Sequence, residues 1–182
     1  MDDAPTPPHA PAGAAPVRLR TWSPDDLRLL RRTNAPEMTE HLGGPETEEK
    51  LAERHERYQR IDGDAGRMFA IVLEATGEAV GSIGFWGRTW QDQPVYETGW
   101  GVLPEYQGRG IAAAAARLVV VEARERGDRR WLHAFPKVEH AASNAVCRKA
   151  GFTLMGECAF EYPKGHPIRS NDWRTELSAP EI

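Results

Sequence analysis

A strand-like segment runs into two closely spaced glycines and then into an alanine-rich stretch, and this run constrains the chain most. Tyr96 to Leu103 reads as a strand, Pro104 stops it, and Gly108 and Gly110 punctuate a turn. Ala112 to Arg126 follows as a strong helix, rich in the best helix former. A strand, a glycine turn and a helix in this order aim several backbone N–H groups at one point. The first four N–H groups of a helix have no internal partner, and the helix dipole adds partial positive charge there. Such a place binds phosphate. Gly108 and Gly110 allow left-handed dihedrals and close approach of a ligand to the backbone. Arg109 adds a charge-assisted contact. Two common phosphate patterns fit poorly. GxxxxGK[ST] needs a lysine that is not here, and GxGxxG needs a third glycine where Ile111, Ala112 and Ala113 stand. Taken alone, the turn also reads as a strand-to-helix connection with ordinary capping glycines.

A chain of 182 residues suits one domain with a sizeable core. Residues 1–16 are mostly proline, alanine and glycine and are expected to form a disordered lead, with a single domain over 17–182. The formal net charge of −4 argues against a general nucleic-acid surface. No apolar run approaches the roughly 20 residues that span a bilayer, so no membrane partner is expected. The amino terminus lacks the basic region and apolar core of a signal peptide. Cys147 and Cys158 form neither a metal-type nor a redox-type pair. A reducing, cytoplasmic setting is the simplest expectation.

Along the chain, Val17 to Trp22 alternates as a strand does. Ser23 and Pro24 then open a helix, with acids in its first turn. Thr33 to Gly44 reads as a loop, and a second helix is expected to start near Pro45. Met68 to Leu73 and Ala79 to Trp86 are strands around a Thr76-Gly77 hairpin signal. Gly87 to Pro94 reads as a link before the strand that leads to the glycine turn. Arg130 to Phe135 is the next strand, and the helix before it implies parallel pairing. Ala141 to Ala150 is a further crossover helix ended by Gly151. Phe152 to Tyr162 and Ile168 to Leu177 are the last strands. The expected fold class is α/β with a mixed, mostly antiparallel sheet flanked by helices.

The pattern Q-x-x-G-x-A is met by Gln107, Gly110 and Ala112. One helix and one strand later comes Ala141-Ala142-Ser143-Asn144-Ala145-Val146-Cys147-Arg148-Lys149-Ala150-Gly151-Phe152. Together the two motifs resemble the acyl-CoA motifs of the GNAT superfamily of N-acetyltransferases. Glu161-Tyr162-Pro163 and Asn171-Asp172-Trp173-Arg174 resemble the branch of ribosomal-protein alanine N-acetyltransferases. The resemblance covers roughly Val17 to Leu177. It implies the GNAT acyl-CoA N-acyltransferase fold, acetyl-CoA as co-substrate, no metal, and transfer to a primary amine. The amine would belong to a protein N-terminus or a small molecule, and would attack directly in a ternary complex.

The resemblance also assigns parts. The backbone of Gln107, Gly108, Arg109, Gly110, Ile111 and Ala112 would hold the pyrophosphate. Val102 and Leu103 would pair with the pantetheine arm while the strands at 94–103 and 130–135 splay apart. His140, Ser143, Asn144 and Cys147 would line the other side. Two positions depart from the common pattern: relatives often carry asparagine where His140 stands and an acid-donating tyrosine where Cys147 stands. Ser143 is then the remaining candidate for the general acid.

The chemistry needs an oxyanion donor, for which a backbone N–H near Leu103 is expected, and a base for the amine proton. Glu97 is the candidate base, because relatives in this branch commonly place an acid there. Trp86, Trp90 and Trp100 are expected to wall the acceptor pocket. Glu157, Glu161 and Asp172 offer charge to a cationic acceptor. No HExxH or other ligand spacing points to a metal, and no GxSxG elbow points to a hydrolase. A non-catalytic acyl-CoA-binding module of the same fold is the alternative reading, and a homodimer is compatible with either.

Overall fold

The computed structural model describes residues 15–178. The expected disordered lead lies outside the described residues except for Ala15 and Pro16. Ala15 packs against the core, and the Pro16 carbonyl accepts the Glu74 N–H at 3.0 Å.

The strands are β1 (Val17–Thr21), β2 (Gly66–Leu73), β3 (Ala79–Trp90), β4 (Gln93–Val102), β5 (Trp131–Ala134), β6 (Thr153–Glu161) and β7 (Pro167–Glu176). The helices are α1 (Leu27–Thr33), α2 (Pro36–Thr39), α3 (Glu48–Arg60), α4 (Ile111–Arg126) and α5 (Ala141–Lys149). The strands form one seven-stranded sheet in the order β1-β2-β3-β4-β5-β7-β6. Every neighbouring pair is antiparallel except β4 and β5, which the α4 crossover makes parallel.

Alternation along the strands divides the sheet into two faces. One face carries Phe85, Tyr96, Leu132 and Trp173, and α4 closes it with Ile111, Ala115, Val119 and Ala123. Ala115, Ala116 and Ala123 on this helix face let the helix sit close to the sheet. Gly127 ends α4 where the Tyr96 ring leaves no room: a Cβ there would lie 2.3 Å from Tyr96 Cε2. The other face is covered over β2 and β3 by α1 and α3, through Trp22, Leu29, Leu30 and Leu51 against Met68, Ala70 and Val72. Over β5, β7 and β6 the same face carries polar and aromatic side chains instead.

Two local expectations are corrected. The stretch read as a link, Gly87 to Pro94, is strand: β3 runs to Trp90 and β4 begins at Gln93. Only Gln91 and Asp92 turn, both at positive φ (48° and 62°), as a two-residue hairpin of mirror-type geometry requires. The stretch read as a loop, Thr33 to Gly44, holds the single-turn helix α2, opened by Pro36, and a 3-10 turn over Glu40–Leu42. The helix expected near Pro45 starts at Glu48, where the Thr47 hydroxyl accepts the Lys50 N–H at 3.3 Å. Glu48 and Glu49 then complement the positive end of its dipole.

Candidate active site

The chain leaves β4 through a 3-10 turn over Pro104–Tyr106 and enters α4 through Gly108 and Gly110, at φ 75° and 73°. Both are left-handed conformations that glycine takes without penalty. Gly110 caps α4, and no side chain caps it. The first bond of the helix runs from the Ala114 N–H to the Gly110 carbonyl at 3.1 Å. The N–H groups of Ile111, Ala112 and Ala113 therefore precede the helical ladder and point out of its end. Gly108, Arg109 and Gly110 are exposed, and the Arg109 guanidinium lies 5.4 Å over the Tyr106 ring. The Gln107 side chain donates to the Val102 carbonyl at 2.9 Å and reaches Met38 Sδ at 3.6 Å. It thus ties the cradle to the end of β4 and to α2.

Beside this cradle the sheet opens. The parallel ladder between β4 and β5 holds only Tyr96 with Leu132 and Glu97 with His133. Beyond these rungs the strands part, as the resemblance implies. The free donors on β4 follow from the β3 register. The Leu103 N–H is taken by the Val80 carbonyl at 2.9 Å, so it is not available to an oxyanion as expected. Peptide groups alternate along an antiparallel pair. The N–H groups of Thr98, Trp100 and Val102 therefore face away from β3; the Glu97–His133 rung engages that of Thr98, and those of Trp100 and Val102 face the gap. Val102 is 7% exposed, and Leu103 is buried in the cluster beneath α1 and α3.

Across the gap, α5 supplies fewer contacts than the motif suggests. The Asn144 side chain is fully engaged within the fold. It donates to the carbonyls of Lys137 and His140, both at 2.9 Å, and accepts from Asn171 at 2.8 Å and Trp173 at 2.9 Å. Cys147 is completely buried in the core beneath α4 and α5, and burial pushes its thiol up to about 12. Neither residue is placed to line a cofactor arm, and Cys147 is no substitute for an acidic tyrosine. His140 and Ser143 remain at the surface of the gap, with Ser143 Oγ 3.5 Å from His140 Nε2. The His140 ring stacks on His41 at 4.1 Å, so the turn after α2 folds over this end of the gap. Burial, and then the neighbouring His41, hold His140 below the usual imidazole range.

The open half of the second face meets the gap at its apex. Glu97 Oε2 accepts from Trp86 Nε1 at 3.1 Å and from Arg88 at 2.9 Å, which leaves Oε1 unengaged by either. Burial raises the Glu97 carboxyl above the usual range, although Arg88 and Trp86 pull the other way. The Arg88 guanidinium sits 4.6 to 5.6 Å from the ring centroids of Phe160, Phe135 and Trp90. His133 Nδ1 lies 2.6 Å from Asp172 Oδ1, and Asp172 Oδ2 accepts from Trp90 Nε1 at 3.1 Å. A cavity of about 620 Å³ opens here, lined by Trp90, Trp131, His133, Cys158, Asp172 and Arg174.

The tryptophans expected to share one wall are divided. Trp86 and Trp90 lie on this face, whereas Trp100 packs on the α4 side of the sheet. Glu157 lines the cavity but pairs with Arg169, and Glu161 is exposed at the end of β6. Arg88 and the His133–Asp172 pair are the site features the sequence reading missed. Carrying the two-residue alternation of β3 past Trp86 would have placed Arg88 and Trp90 on the face of Glu97. Among the described residues, no group of three or more His, Cys, Asp or Glu is arranged to hold a metal, and no helix is long and apolar enough to cross a membrane.

The uncapped helix end, the strand before it and the two-rung parallel pair are one arrangement. The model of the acetyltransferase (GNAT) domain matches residues 17–153. The chain belongs to this family. None of the curated protein sequences matches it. Solved structures show the same fold at low identity. A GNAT-family acetyltransferase from Bacillus anthracis superposes with TM-score 0.73 at 20% identity, over 90% of this chain and 96% of that one. The acetyltransferase of Salmonella typhimurium that modifies the N-terminal serine of a 50S ribosomal subunit protein gives 0.69 at 20%, over 89% and 95%. The spermidine N-acetyltransferase of Vibrio cholerae, in complex with CoA and spermine, gives 0.71 at 16%, over 88% and 95%.

Proposed function

We propose that this protein moves an acetyl group from acetyl-CoA to a primary amine, with residues 17–182 acting as one catalytic unit. The observation that carries the reading is the uncapped N-terminus of α4, set at the end of β4 beside the gap between β4 and β5. The fit to acetyl-CoA rests on this chain's own donors. The N–H groups of Gly108 to Ala113 and the Arg109 side chain would meet the pyrophosphate. The outward N–H groups of Val102 and Trp100 would meet the pantetheine amides and the thioester oxygen, with His140 and Ser143 on the far side. Acetyl-CoA supplies an activated acyl carbon with a thiolate leaving group.

The protein's part in the chemistry is then positioning, charge stabilisation and proton transfer. The Trp100 N–H is the nearest free β4 donor to the apex of the gap and hence the proposed oxyanion donor. Glu97 faces the same apex and takes the amine proton. A free alkyl ammonium ionises near pKa ~10.4 and cannot attack until that proton is lost. Ser143, with His140 behind it, is the proposed donor to the departing thiolate. Trp86 and Trp90 flank the acceptor. Acceptors of the structural neighbours include a protein N-terminus and spermidine, and the acceptor here is proposed to come from the same two classes. The two free thiols suit a reducing, cytoplasmic setting.

Buried Cys147, in the place of the usual acid, favours one second reading: a protein that binds acyl-CoA without transfer. One assay separates the two. The full chain is incubated with acetyl-CoA and a serine-initiated peptide, spermidine or an aminoglycoside, and thiol release and product mass are followed. Transfer predicts thiol release that depends on the amine, and its loss in a folded Gly110→Asp variant, whose carboxylate stands where phosphate binds. Acetyl-CoA binding with no amine-dependent thiol release would instead establish the non-catalytic reading.

A further inference from the structure

Acetylation of an ammonium group releases one net proton, and the structure gives that proton a route. The overall change is R–NH3+ plus acetyl-S-CoA to R–NH–acetyl plus CoA-SH and H+. Glu97 is poorly placed to pass the proton to bulk water. Trp86 and Arg88 both close on its Oε2, and it does not line the neighbouring cavity. His133 does line it. Glu97 and His133 are also the last paired positions of β4 and β5, and their side chains rise on the same face.

The ring of His133 is oriented for this. Its Nδ1 lies 2.6 Å from Asp172 Oδ1. An ionised carboxylate only accepts hydrogen bonds, so Nδ1 carries the proton and the Nε2 lone pair is left over. Among the described residues no side chain or backbone group hydrogen-bonds Nε2. Asp172 is fixed in turn by Trp90 Nε1, and the His133 ring is stacked on Phe135 at 5.6 Å between centroids. His133 is 3% exposed and Asp172 7%, so the pair is held rather than solvated. An acidic partner behind an imidazole fixes its tautomer and stabilises its protonated form.

We propose that His133, oriented by Asp172, relays the amine proton from Glu97 to solvent in the cavity beneath Trp90. The relay rests on the acetyl transfer proposed above. One ammonium proton passes to Glu97 Oε1, then, directly or through one water, to His133 Nε2. The freed amine attacks the thioester carbon, forming the C–N bond and breaking the C–S bond, and the thiolate leaves as CoA-SH with the second nitrogen proton, passed through Ser143. The His133 imidazolium loses its extra proton to water in the cavity, which returns Glu97 and His133 to their starting forms. The charged and titratable groups facing His133 are Glu97 on β4, Arg88 on β3, Asp172 and Arg174 on β7, and Cys158 on β6.

The test uses the full chain and whichever acceptor in the panel above is acetylated fastest. His133→Ala is expected to lower kcat by about 100-fold, the ordinary scale of acid–base catalysis, with the acetyl-CoA Kd within about twofold of the unaltered protein. Added imidazole, which the vacated space admits, is expected to restore turnover. Asp172→Asn, which keeps the packing, is expected to lower kcat and displace the acid limb of the pH profile. Should His133→Ala fail to fold, 15N-histidine NMR of the unaltered protein decides instead. The neutral ring must carry its proton on Nδ1, and a proton on Nε2 overturns the relay. Unchanged kcat and pH profile in folded His133→Ala, or a loss that imidazole does not rescue, also overturns it. An unaltered protein that binds acetyl-CoA but acetylates no amine overturns the transfer reading and the relay together.

Discussion

Glu97 stands between two opposed influences, and their balance sets how it can act. Burial favours the neutral acid, while Arg88 and Trp86 favour the carboxylate, and burial wins. A carboxyl raised in this way is a better base near neutral pH than an exposed one. The folded protein favours protonated Glu97, so its contribution to stability is present below the ordinary glutamate range and is lost as pH rises through the raised value. Activity runs the other way and rises through that value as the base ionises. Glu97→Gln is expected to lower kcat by about 100-fold, to abolish the acid limb of the kcat/KM profile, and to leave acetyl-CoA affinity unchanged. Unaltered turnover at neutral pH would remove Glu97 from the chemistry. At this scale the sequence reading was weakest. Asn144 and Cys147 stand at motif positions, but their roles are decided by Asn171 and Trp173, which lie 27 and 29 residues away from Asn144, and by the helix above Cys147. No local pattern announces such partners.

The elements were more legible, because each is written in a contiguous stretch. The strand at Val17, the alanine run of α4 and the glycines around it all survive in the structure. The failures lie where two stretches had to be considered together. The Gln91-Asp92 turn lacks the Asn-Gly or Asp-Gly signal of a tight hairpin. It is the long antiparallel pairing of β3 with β4 that forces both residues to positive φ. Gly127 shows the same dependence. Its backbone is unstrained, and it must be glycine because the Tyr96 ring and the Ala123 carbonyl occupy the space of a Cβ, at 2.3 and 2.7 Å. Tyr96 has little freedom to retreat, since its hydroxyl donates to the Asp64 carbonyl at 2.7 Å and accepts the Asp128 N–H at 3.2 Å. Gly127→Ala is therefore expected to destabilise the protein by about 1–3 kcal/mol, the usual range for overpacking. Thermal unfolding measures this, and an unchanged midpoint would mean that the end of α4 shifts without cost.

At the scale of the whole molecule, function follows from one departure from regularity. Five of the six neighbouring strand pairs are antiparallel, and β4 meets β5 in a parallel pair of only two rungs. The α4 crossover that makes this pair parallel also brings its uncapped end to the opening. The gap and the cradle are thus products of the same connection, which is why the order of motifs along the chain conveyed the fold. The faces of the sheet could not be read that way. Trp100 and Trp90 are both on strands of the central hairpin, yet they lie on opposite sides because the register, fixed by the turn, sets them there. The cradle and gap together are proposed to form an acetyl-CoA site. Calorimetric titration of the full chain with acetyl-CoA, with no acceptor present, tests it most directly. Saturable binding at one site is expected, with a thermal shift that grows with ligand as linkage requires. Folded protein that releases no heat and shows no shift would contradict it.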